Sequence, residues 1–189
     1  MKLIIGIAGA SGVIYGIRLL EMLKDVPGVE THLVLTKTGR MNIGVETDYT
    51  VSKVEALADE VHKNTNVGAT IASGSFHADG MIVAACAMKT LAGIVHSYAD
   101  DLLTRAADVT LKERRKLVLM PRETPMHLGH CKLMVEAAEM GAIIAPPMPG
   151  FYARPESVDD IVNHSVGRVL DLFDIDTRHV SRWQGLAAD

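Results

Sequence analysis

A run of small residues after the first apolar segment has the composition of a phosphate-binding turn. Residues 3–8 are continuously apolar, and Gly9, Ala10, Ser11 and Gly12 follow them. Small residues let the backbone approach a phosphate, and the helix expected next offers free N–H groups at its positive end. Ser11 can add a hydroxyl to the site or cap that helix. The motif predicts a phosphate-binding loop, although a tight turn with close helix packing has the same composition.

The spacing of glycines in this turn distinguishes between a dinucleotide and a mononucleotide as the cofactor. It does not match the GxGxxG fingerprint of dinucleotide-binding proteins, and Thr36, rather than an acidic residue, ends the second apolar segment. An acidic residue at that place binds the ribose of NAD. The sequence therefore disfavours NAD, and with it an NAD-dependent dehydrogenase, and favours a mononucleotide.

A second turn has residue types that suit the same ligand. Ala87, Met88, Lys89 and Thr90 follow the apolar run 81–86. Ligands of open α/β sheets bind at the carboxyl ends of the strands, so two strand-to-helix turns can face one site. Thr90 is expected either to contact a phosphate or to act as an ordinary helix cap.

Charged and hydroxyl side chains downstream are suited to a phosphate and a proton. Arg122 and Glu123 follow another apolar run, where an arginine can bind phosphate oxygens with two donors and a carboxylate can transfer protons. Lys112 precedes that run within a short basic stretch, and Tyr152 and Arg168 add a hydroxyl and a further cation. A surface ion-pair network, an aromatic plug and a solvated helix face are alternative roles that these spacings leave open.

Apolar runs that alternate with helical periodicity predict the architecture. The expected strands are residues 3–8, 31–36, 81–86, 116–121 and 142–145. The expected helices are residues 15–23, 37–45, 51–61, 89–98, 102–111, 131–140 and 158–173. This order predicts a Rossmann-like, doubly wound α/β fold, with a mostly parallel sheet and helices on both faces. We expect one domain over residues 1–189, whose tail from about residue 182 packs on a neighbouring subunit.

Composition excludes several classes of function. The chain has 189 residues with 19 basic and 23 acidic side chains, a net charge of −4 and no long basic run, so nucleic acid is not an expected partner. No apolar run approaches the roughly 18 residues of a membrane span, and the first one ends too early for a signal peptide. We therefore expect a cytoplasmic protein without a membrane partner.

Cysteine and histidine spacing does not indicate a metal. Cys86 and Cys131 form no CxxC pair and are expected to be buried free thiols. His127 and His130 lie three residues apart without a third ligand nearby, and no HExxH motif is present. No metal site is predicted.

The motifs taken together resemble the UbiX-type flavin prenyltransferases, also known as the B subunit of phenolic acid decarboxylases, within the flavin-containing cysteine decarboxylase superfamily. The resemblance covers nearly the whole chain, and the ordered set is specific although no single piece is. Its segments are residues 9–12, 46–48, 73–76, 80–83, 88–92, 105–115, 122–125 and 146–152, with Arg168 and residues 182–183. The chain departs from the family pattern at Ala85 and Ala87, where the family usually has proline and serine, and at Asp101, where it usually has asparagine.

The resemblance implies a prenyltransferase that moves a dimethylallyl group from dimethylallyl phosphate to N5 and C6 of reduced FMN. The prenylated FMN would serve a separate UbiD-type decarboxylase, and the family assembles as a dodecamer of trimers with its pocket between subunits. The implied FMN ligands are Gly9, Ala10, Ser11, Thr36, Ala87, Met88, Lys89, Thr90 and Arg122. The implied ligands of dimethylallyl phosphate are Lys112, Arg122, Tyr152 and Arg168. The implied catalytic residues are Ser11, Glu46, Glu123 and Lys112.

Two other functions remain possible from the sequence. One is direct FMN-dependent decarboxylation, but the related cysteine decarboxylases carry a histidine on an early helix and a Pro-x-Met-Asn motif that this chain lacks at matching positions. The other is a non-catalytic FMN-binding subunit, which would keep the glycine turn but would not need the cations, the tyrosine and the glutamate together.

Overall fold

The computed structural model describes residues 1–178, 180 and 182–185. Its chain divides into two compact units, Met1–Pro146 and Pro147–Asp189, which are described separately. Residues 179, 181 and 186–189 lie outside the described residues, so part of the predicted tail does as well. The prediction of one domain over the whole chain stays a prediction.

The first unit is built on a parallel sheet of six strands in the order β3-β2-β1-β4-β5-β6. The strands are β1 Lys2–Ile7, β2 Glu30–Leu35, β3 Glu60–Lys63, β4 Gly80–Cys86, β5 Lys116–Pro121 and β6 Ile143–Ile144. This order is that of a Rossmann fold, so the predicted fold class is confirmed. The chain runs outward from β1 to β3 and then from β4 to β6, which puts the topological switch point between β1 and β4.

Helices connect the strands. They are α1 Val13–Lys24, α2 Lys37–Glu46, α3 Val51–Glu55, α4 Met88–Val95, α5 Leu102–Lys112 and α6 Leu128–Glu139, with a short 3₁₀ turn at Thr70–Ala72. Right-handed crossovers place the helices before β3 on one face of the sheet and those after β4 on the other. Both faces are therefore covered, as the sequence predicted.

Burial explains why the central strands were predictable. Every residue of β4 is buried, and β1, β2 and β5 are buried except at their first residue. Parallel strands covered on both faces form continuous apolar runs, which is the pattern seen in the sequence. The core between β4, β5 and the helices beside them includes Met81, Val83, Leu103, Leu117 and Leu119.

One predicted element is wrong. Residues 51–61 were expected to form a helix, but α3 ends at Glu55 and the chain then enters the edge strand β3, Glu60–Lys63. Only His62 of that strand is buried. An edge strand with one buried side chain has no apolar run, so its sequence does not differ from that of a solvated helix end.

The second unit contains one long helix, α7 Val158–Asp171, preceded by a 3₁₀ turn at Phe151–Ala153. Ser157 caps α7 by accepting the N–H of Asp160, and the Asp160 carboxylate accepts the N–H of Ser157 in return. This capping box fixes the start of the helix, as predicted at Val158. One face of α7 is buried, with Val162, Val166, Val169 and Leu170 on it.

Within the described ranges, no helix has both the length and the apolar character needed to cross a membrane.

Candidate functional site

A cleft of about 870 Å³ opens at the carboxyl ends of the central strands. Its lining includes the residues that follow three strands, namely Gly9 after β1, Thr36 after β2 and Ala87 after β4, together with Lys89 and Thr90. The cleft therefore lies at the topological switch point, where open α/β sheets bind their ligands. The two turns singled out in the sequence contribute to one cavity, as expected.

Close packing explains the glycine at the first turn. A Cβ on Gly9 would lie 2.1 Å from Thr38 Oγ1 and 2.4 Å from Thr38 Cβ. The carbonyl oxygens of Gly9 and Ala10 accept hydrogen bonds from Asn42 Nδ2 at 3.2 and 3.4 Å. The turn thus lies directly against α2 and is held there by a side chain of that helix.

The hydroxyl of Thr36 caps the N-terminus of α2. Its Oγ1 accepts the N–H of Gly39 at 3.0 Å and lies 3.3 Å from Thr38 Oγ1. Thr36, Lys37 and Thr38 all line the cleft, so the positive end of this helix faces the cavity.

The start of α4 also faces the cleft and is open to a ligand. Ala87 is its N-cap residue, and there is no side-chain capping hydrogen bond from that residue. The first N–H groups of α4 therefore have no partner within the helix. Thr90 is buried in the first turn and does not cap the helix, so the capping role is wrong, and the phosphate contact stays a prediction. A phosphate beside Ala87 and Thr90 would receive N–H donors and a helix dipole together.

The start of α1 is already occupied by a carboxylate of the same chain. Glu46, at the end of α2, accepts the N–H groups of Gly12 and Val13 at 2.8 and 3.2 Å. Gly12 is the N-cap residue with a φ of 103°, and Ser11 is exposed and does not cap the helix. The predicted capping role of Ser11 is wrong, and the free helix end expected after the first turn is found instead at α4.

Arg122 lies near this same end of α1. Its backbone N–H donates to the carbonyl of Cys86 at 3.2 Å, which places it at the carboxyl ends of β4 and β5. Burial raises the pKa of Tyr15, in the first turn of α1, and the charge of Arg122 lowers it in part. Tyr15 is a neighbour that sequence reasoning did not identify. The Arg122 side chain is exposed and does not line the cleft, and neither do Ala10, Ser11 and Met88.

Glu123 and Lys112 lie at opposite ends of β5. Glu123 follows β5 and accepts the N–H of Thr124 at 3.0 Å. Lys112 ends α5, just before β5 begins, and pairs with Glu113 beside Gly74. The Lys112 charge and hydrogen bond lower the pKa of Glu113. β5 has six residues and is about 20 Å long. Lys112 lies before its amino end, and Arg122 directly follows its carboxyl end.

Tyr152 and Arg168 both belong to the second unit. Tyr152 Oη lies 3.0 Å from Nε2 of His164, which is one helical turn before Arg168 on the same face of α7. Arg168 pairs with Asp171 at 2.6 Å, and its side chain is 54% exposed. Tyr152 thus contacts α7 at His164, and Arg168 lies one turn further along that helix. His164 is a further neighbour that the sequence did not point out.

Other residues of the cleft have structural partners that explain them. Asp101 caps α5 by accepting the N–H of Thr104 at 2.9 Å, and its second oxygen accepts from Asn64 at 3.0 Å. Asn64 also accepts the N–H of Leu103 at 3.0 Å. These residues line the cleft on its β3 side, and sequence reasoning missed Asn64 because a lone asparagine in a loop carries no motif.

The two cysteines differ from one another. Cys86 is buried at the end of β4, and burial raises the pKa of its thiol to about 12. Cys131 is exposed on α6, so the prediction that both thiols are buried is wrong for this one. Its helix begins three residues earlier than the sequence indicated.

The geometry fits an FMN-sized ligand. A volume of about 870 Å³ is in the range of cofactor pockets, which run to roughly 1,000 Å³. Gly9 lines the cleft, and the N-termini of α2 and α4 face it with donors for a phosphate. The fold and the cleft define a nucleotide-binding α/β protein of the doubly wound class.

Comparison with known proteins is consistent with that class and narrows it. A family model described as Flavoprotein matches residues 1–170. Flavin prenyltransferase UbiX of Escherichia coli (strain K12) is 56% identical over 186 residues, which cover 97% of this chain and 98% of that protein. The chain therefore belongs to the Flavoprotein family.

Two solved structures are similar over nearly the full length. A dodecameric FMN-dependent UbiX-like decarboxylase from Escherichia coli O157:H7 has a TM-score of 0.97 and 54% identity, covering 98% of this chain and 100% of its own. AnUbiX (PadA1) in complex with FMN and dimethylallyl pyrophosphate has a TM-score of 0.96 and 49% identity, covering 98% of each chain.

Proposed function

We propose that this protein is a flavin prenyltransferase that transfers a dimethylallyl group from dimethylallyl phosphate to reduced FMN. The observation that carries the proposal is a cleft at the switch point, of the size of FMN, in a chain 56% identical to a flavin prenyltransferase over 186 residues. Reduced FMN is the acceptor: N5 would bond to the dimethylallyl carbon as the carbon–oxygen bond of the donor breaks, the N5 proton leaving with the phosphate. C6 would then bond to the alkene, which takes up one proton while C6 loses one, so that the net gain is one C₅H₈ unit.

The turns at the strand ends hold FMN in this proposal. Thr36, Lys89 and Thr90 supply polar groups, and the open N-terminus of α4 after Ala87 supplies N–H donors. Gly9 lets the flavin lie against the backbone. Ala10, Ser11, Met88 and Arg122 complete the proposed cofactor set.

Lys112, Arg122, Tyr152 and Arg168 bind the phosphate of the donor in the proposed site. Cations and a hydroxyl stabilise the charge that develops on the leaving phosphate. Because β5, about 20 Å long, lies between Lys112 and Arg122, a single chain holds the backbones of these two residues beyond opposite ends of that strand. We propose that Lys112 comes from a second copy of the chain and that the protein assembles as a dodecamer.

Three side chains handle protons in the proposed site. Glu123, which follows β5, transfers a proton to the leaving phosphate. Glu46 and Ser11 lie at the start of α1, where two backbone N–H groups hold the Glu46 carboxylate in place. A site that excludes water protects the reactive allylic donor from hydrolysis. The prenylated FMN then passes to a UbiD-type decarboxylase, and we expect both proteins in the cytoplasm.

The mass of the bound flavin tests the proposal. The protein is incubated without oxygen with reduced FMN and dimethylallyl phosphate, and the flavin is released and analysed by mass spectrometry. We expect a gain of one C₅H₈ unit. An FMN of unchanged mass at saturating donor would refute the assignment. Arg122→Ala and Glu123→Gln should each lower turnover strongly, and full activity in both would remove their proposed roles.

Mixing two inactive variants tests the shared site. Lys112→Ala and Arg122→Ala chains are unfolded together, refolded as a mixture and assayed. If the two residues come from different copies, some sites in the mixture contain both, and activity returns to a fraction of the wild-type value. Activity no higher than in either variant alone would place both residues in one chain.

A second candidate is an FMN-dependent decarboxylase that acts directly, which is how the similar structure from Escherichia coli O157:H7 is described. Release of CO₂ from an aromatic acid by the isolated protein with FMN would favour it. Under the first proposal, CO₂ is released only when a UbiD-type partner receives the prenylated flavin.

A further inference from the structure

Two histidines and a glutamate meet on β2 and the edge strand β3 beside it. His32 on β2 is directly opposite Glu60 on β3, and His62 lies two residues further along β3. Residues two apart on a strand point to the same face, so the register brings all three side chains together. His32 is 1% exposed and His62 is 7% exposed, whereas Glu60 reaches solvent.

The ligand atoms of these side chains have the spacing of a metal site. His32 Nδ1 and His62 Nε2 are 3.0 Å apart, and the Glu60 oxygens lie 3.5 Å from His32 Nδ1 and 3.6 Å from His62 Nε2. Two atoms at about 2.1 Å from one zinc ion in tetrahedral geometry are separated by about 3.4 Å. The observed distances of 3.0, 3.5 and 3.6 Å lie around that value, the last two to different oxygens of Glu60, and one ligand atom from each residue lies within 4.8 Å of the others.

A second carboxylate orients the first histidine. His32 Nε2 is 3.0 Å from Glu30 Oε1, and Glu30 is itself paired with Lys2 at 3.0 Å. A proton held on Nε2 by Glu30 leaves the Nδ1 lone pair free on the side of His62 and Glu60. Histidines that bind metals usually donate their other N–H to a carboxylate in this way.

We propose that His32, Glu60 and His62 bind a zinc ion, with a water molecule in the fourth position. Imidazole nitrogen and carboxylate oxygen are ligands that Zn²⁺ accepts, and three protein ligands with one open position are a common arrangement. The ion fastens the short edge strand β3 to β2. None of these three side chains lines the cleft, and the site does not depend on the proposed function.

No sequence motif indicates this site, because its ligands come from two strands. His32 and His62 are thirty residues apart, and β3 itself was not predicted. A direct hydrogen bond between His32 Nδ1 and His62 Nε2 without a metal is the competing explanation for the 3.0 Å distance, and with the His32 proton on Nε2 the donor is His62 Nε2–H, a proton that a bound metal would displace.

Metal titration of the purified, FMN-loaded protein tests the proposal. The protein is treated with a chelator, passed through a desalting column and titrated with Zn²⁺ by calorimetry, with metal content measured after gel filtration. Co²⁺ is titrated in parallel, because a four-coordinate site with two imidazoles gives visible absorption bands. We expect one ion per chain and a rise in Tm on binding.

Three variants locate the ion. Glu60→Gln keeps the shape of an exposed side chain, so it should fold normally and bind zinc at least about tenfold more weakly. Glu30→Gln should weaken binding about 10- to 100-fold through the orientation of His32. Glu139→Gln removes an exposed carboxylate of α6 and serves as the matched control, with unchanged affinity.

Two outcomes would overturn the proposal. One is no stoichiometric ion in the wild-type protein, which would leave the histidine pair as a hydrogen bond only. The other is zinc that stays bound in Glu60→Gln but is lost in Cys131→Ser, which would place the ion near the exposed thiol of α6 and His127, the N-cap residue of that helix. Circular dichroism of each variant separates loss of the ion from loss of the fold.

Discussion

Replacing Gly9 by alanine should weaken FMN binding through a steric conflict with one threonine. The φ of Gly9 is not in the left-handed region, so alanine can adopt its backbone conformation. The added Cβ, however, would lie 2.1 Å from Thr38 Oγ1 and 2.4 Å from Thr38 Cβ, more than 1 Å inside normal contact distance. Because Thr38 Cβ is fixed to the helix backbone, rotation of the side chain cannot relieve both contacts.

The expected size of the effect follows from this overlap. Inserting one methyl group into a packed position costs about 1–3 kcal/mol. If the turn moves away from α2 to relieve the overlap, the geometry of the cleft is lost, and the same energy weakens FMN binding by about 5- to 150-fold. Fluorescence titration of FMN measures this change, and urea unfolding of the FMN-free protein measures how much of the cost falls on stability.

Two controls show whether the contact is responsible. Gly44 lies on α2 with no described atom within 4 Å of its added Cβ, so Gly44→Ala should leave FMN binding unchanged. Thr38→Gly removes the side chain in conflict, and the double variant with Gly9→Ala should recover affinity, giving a coupling of about 0.5–3 kcal/mol. Wild-type affinity and stability in Gly9→Ala, or additive effects in the double variant, would refute the reasoning.

Three further predictions address other contacts. Asn42→Ala removes the amide that holds the first turn, so FMN affinity should fall about fivefold, and an unchanged titration curve would contradict this. In native Cys131→Ser protein, Cys86 should not react with a thiol reagent at pH 8, because burial raises its pKa to about 12; it should react after unfolding, and fast reaction in the native state would contradict its burial. Asp160→Asn should lower Tm at pH 7, because hydrogen bonds from Ser157 and nearby backbone N–H groups lower the pKa of the Asp160 carboxyl. The stabilisation by the charged carboxylate is present above the pKa of the unfolded state and is lost as the pH falls through the pKa of the folded state. An equal difference in Tm between variant and wild type at pH 3 would therefore argue against a role for the charge.

The parts of the fold that could be predicted are those encoded locally. β1, β2, β4 and β5 are apolar runs because both faces of the sheet are covered, and each was predicted to within about one residue at its start. The cleft was predictable for the same reason: once the strands are known, the residues after them must meet at one edge. Gly9, Thr36 and Ala87 follow from this rule.

The parts that could not be predicted depend on contacts between distant residues. Glu46 lies 34 positions after Gly12, and no local sequence pattern indicates that its carboxylate accepts the N–H groups at the N-terminus of α1. Asn42 and Tyr15 are likewise ordinary helix residues until packing brings them to the turn and to Arg122. The edge strand β3 was missed because pairing with β2 alone, and not its own composition, makes it a strand.

The placement of Lys112 at the far end of β5 has a consequence for newly made chains. A single chain already has the flavin cleft, whereas the binding site for the donor is incomplete until copies of the chain associate. Under the proposed function, association then acts as a checkpoint: freshly synthesised protein captures flavin first, and allyl phosphate is not split before a neighbour arrives. Dilution that dissociates the oligomer should therefore abolish prenyl transfer, while the visible absorbance of bound flavin remains.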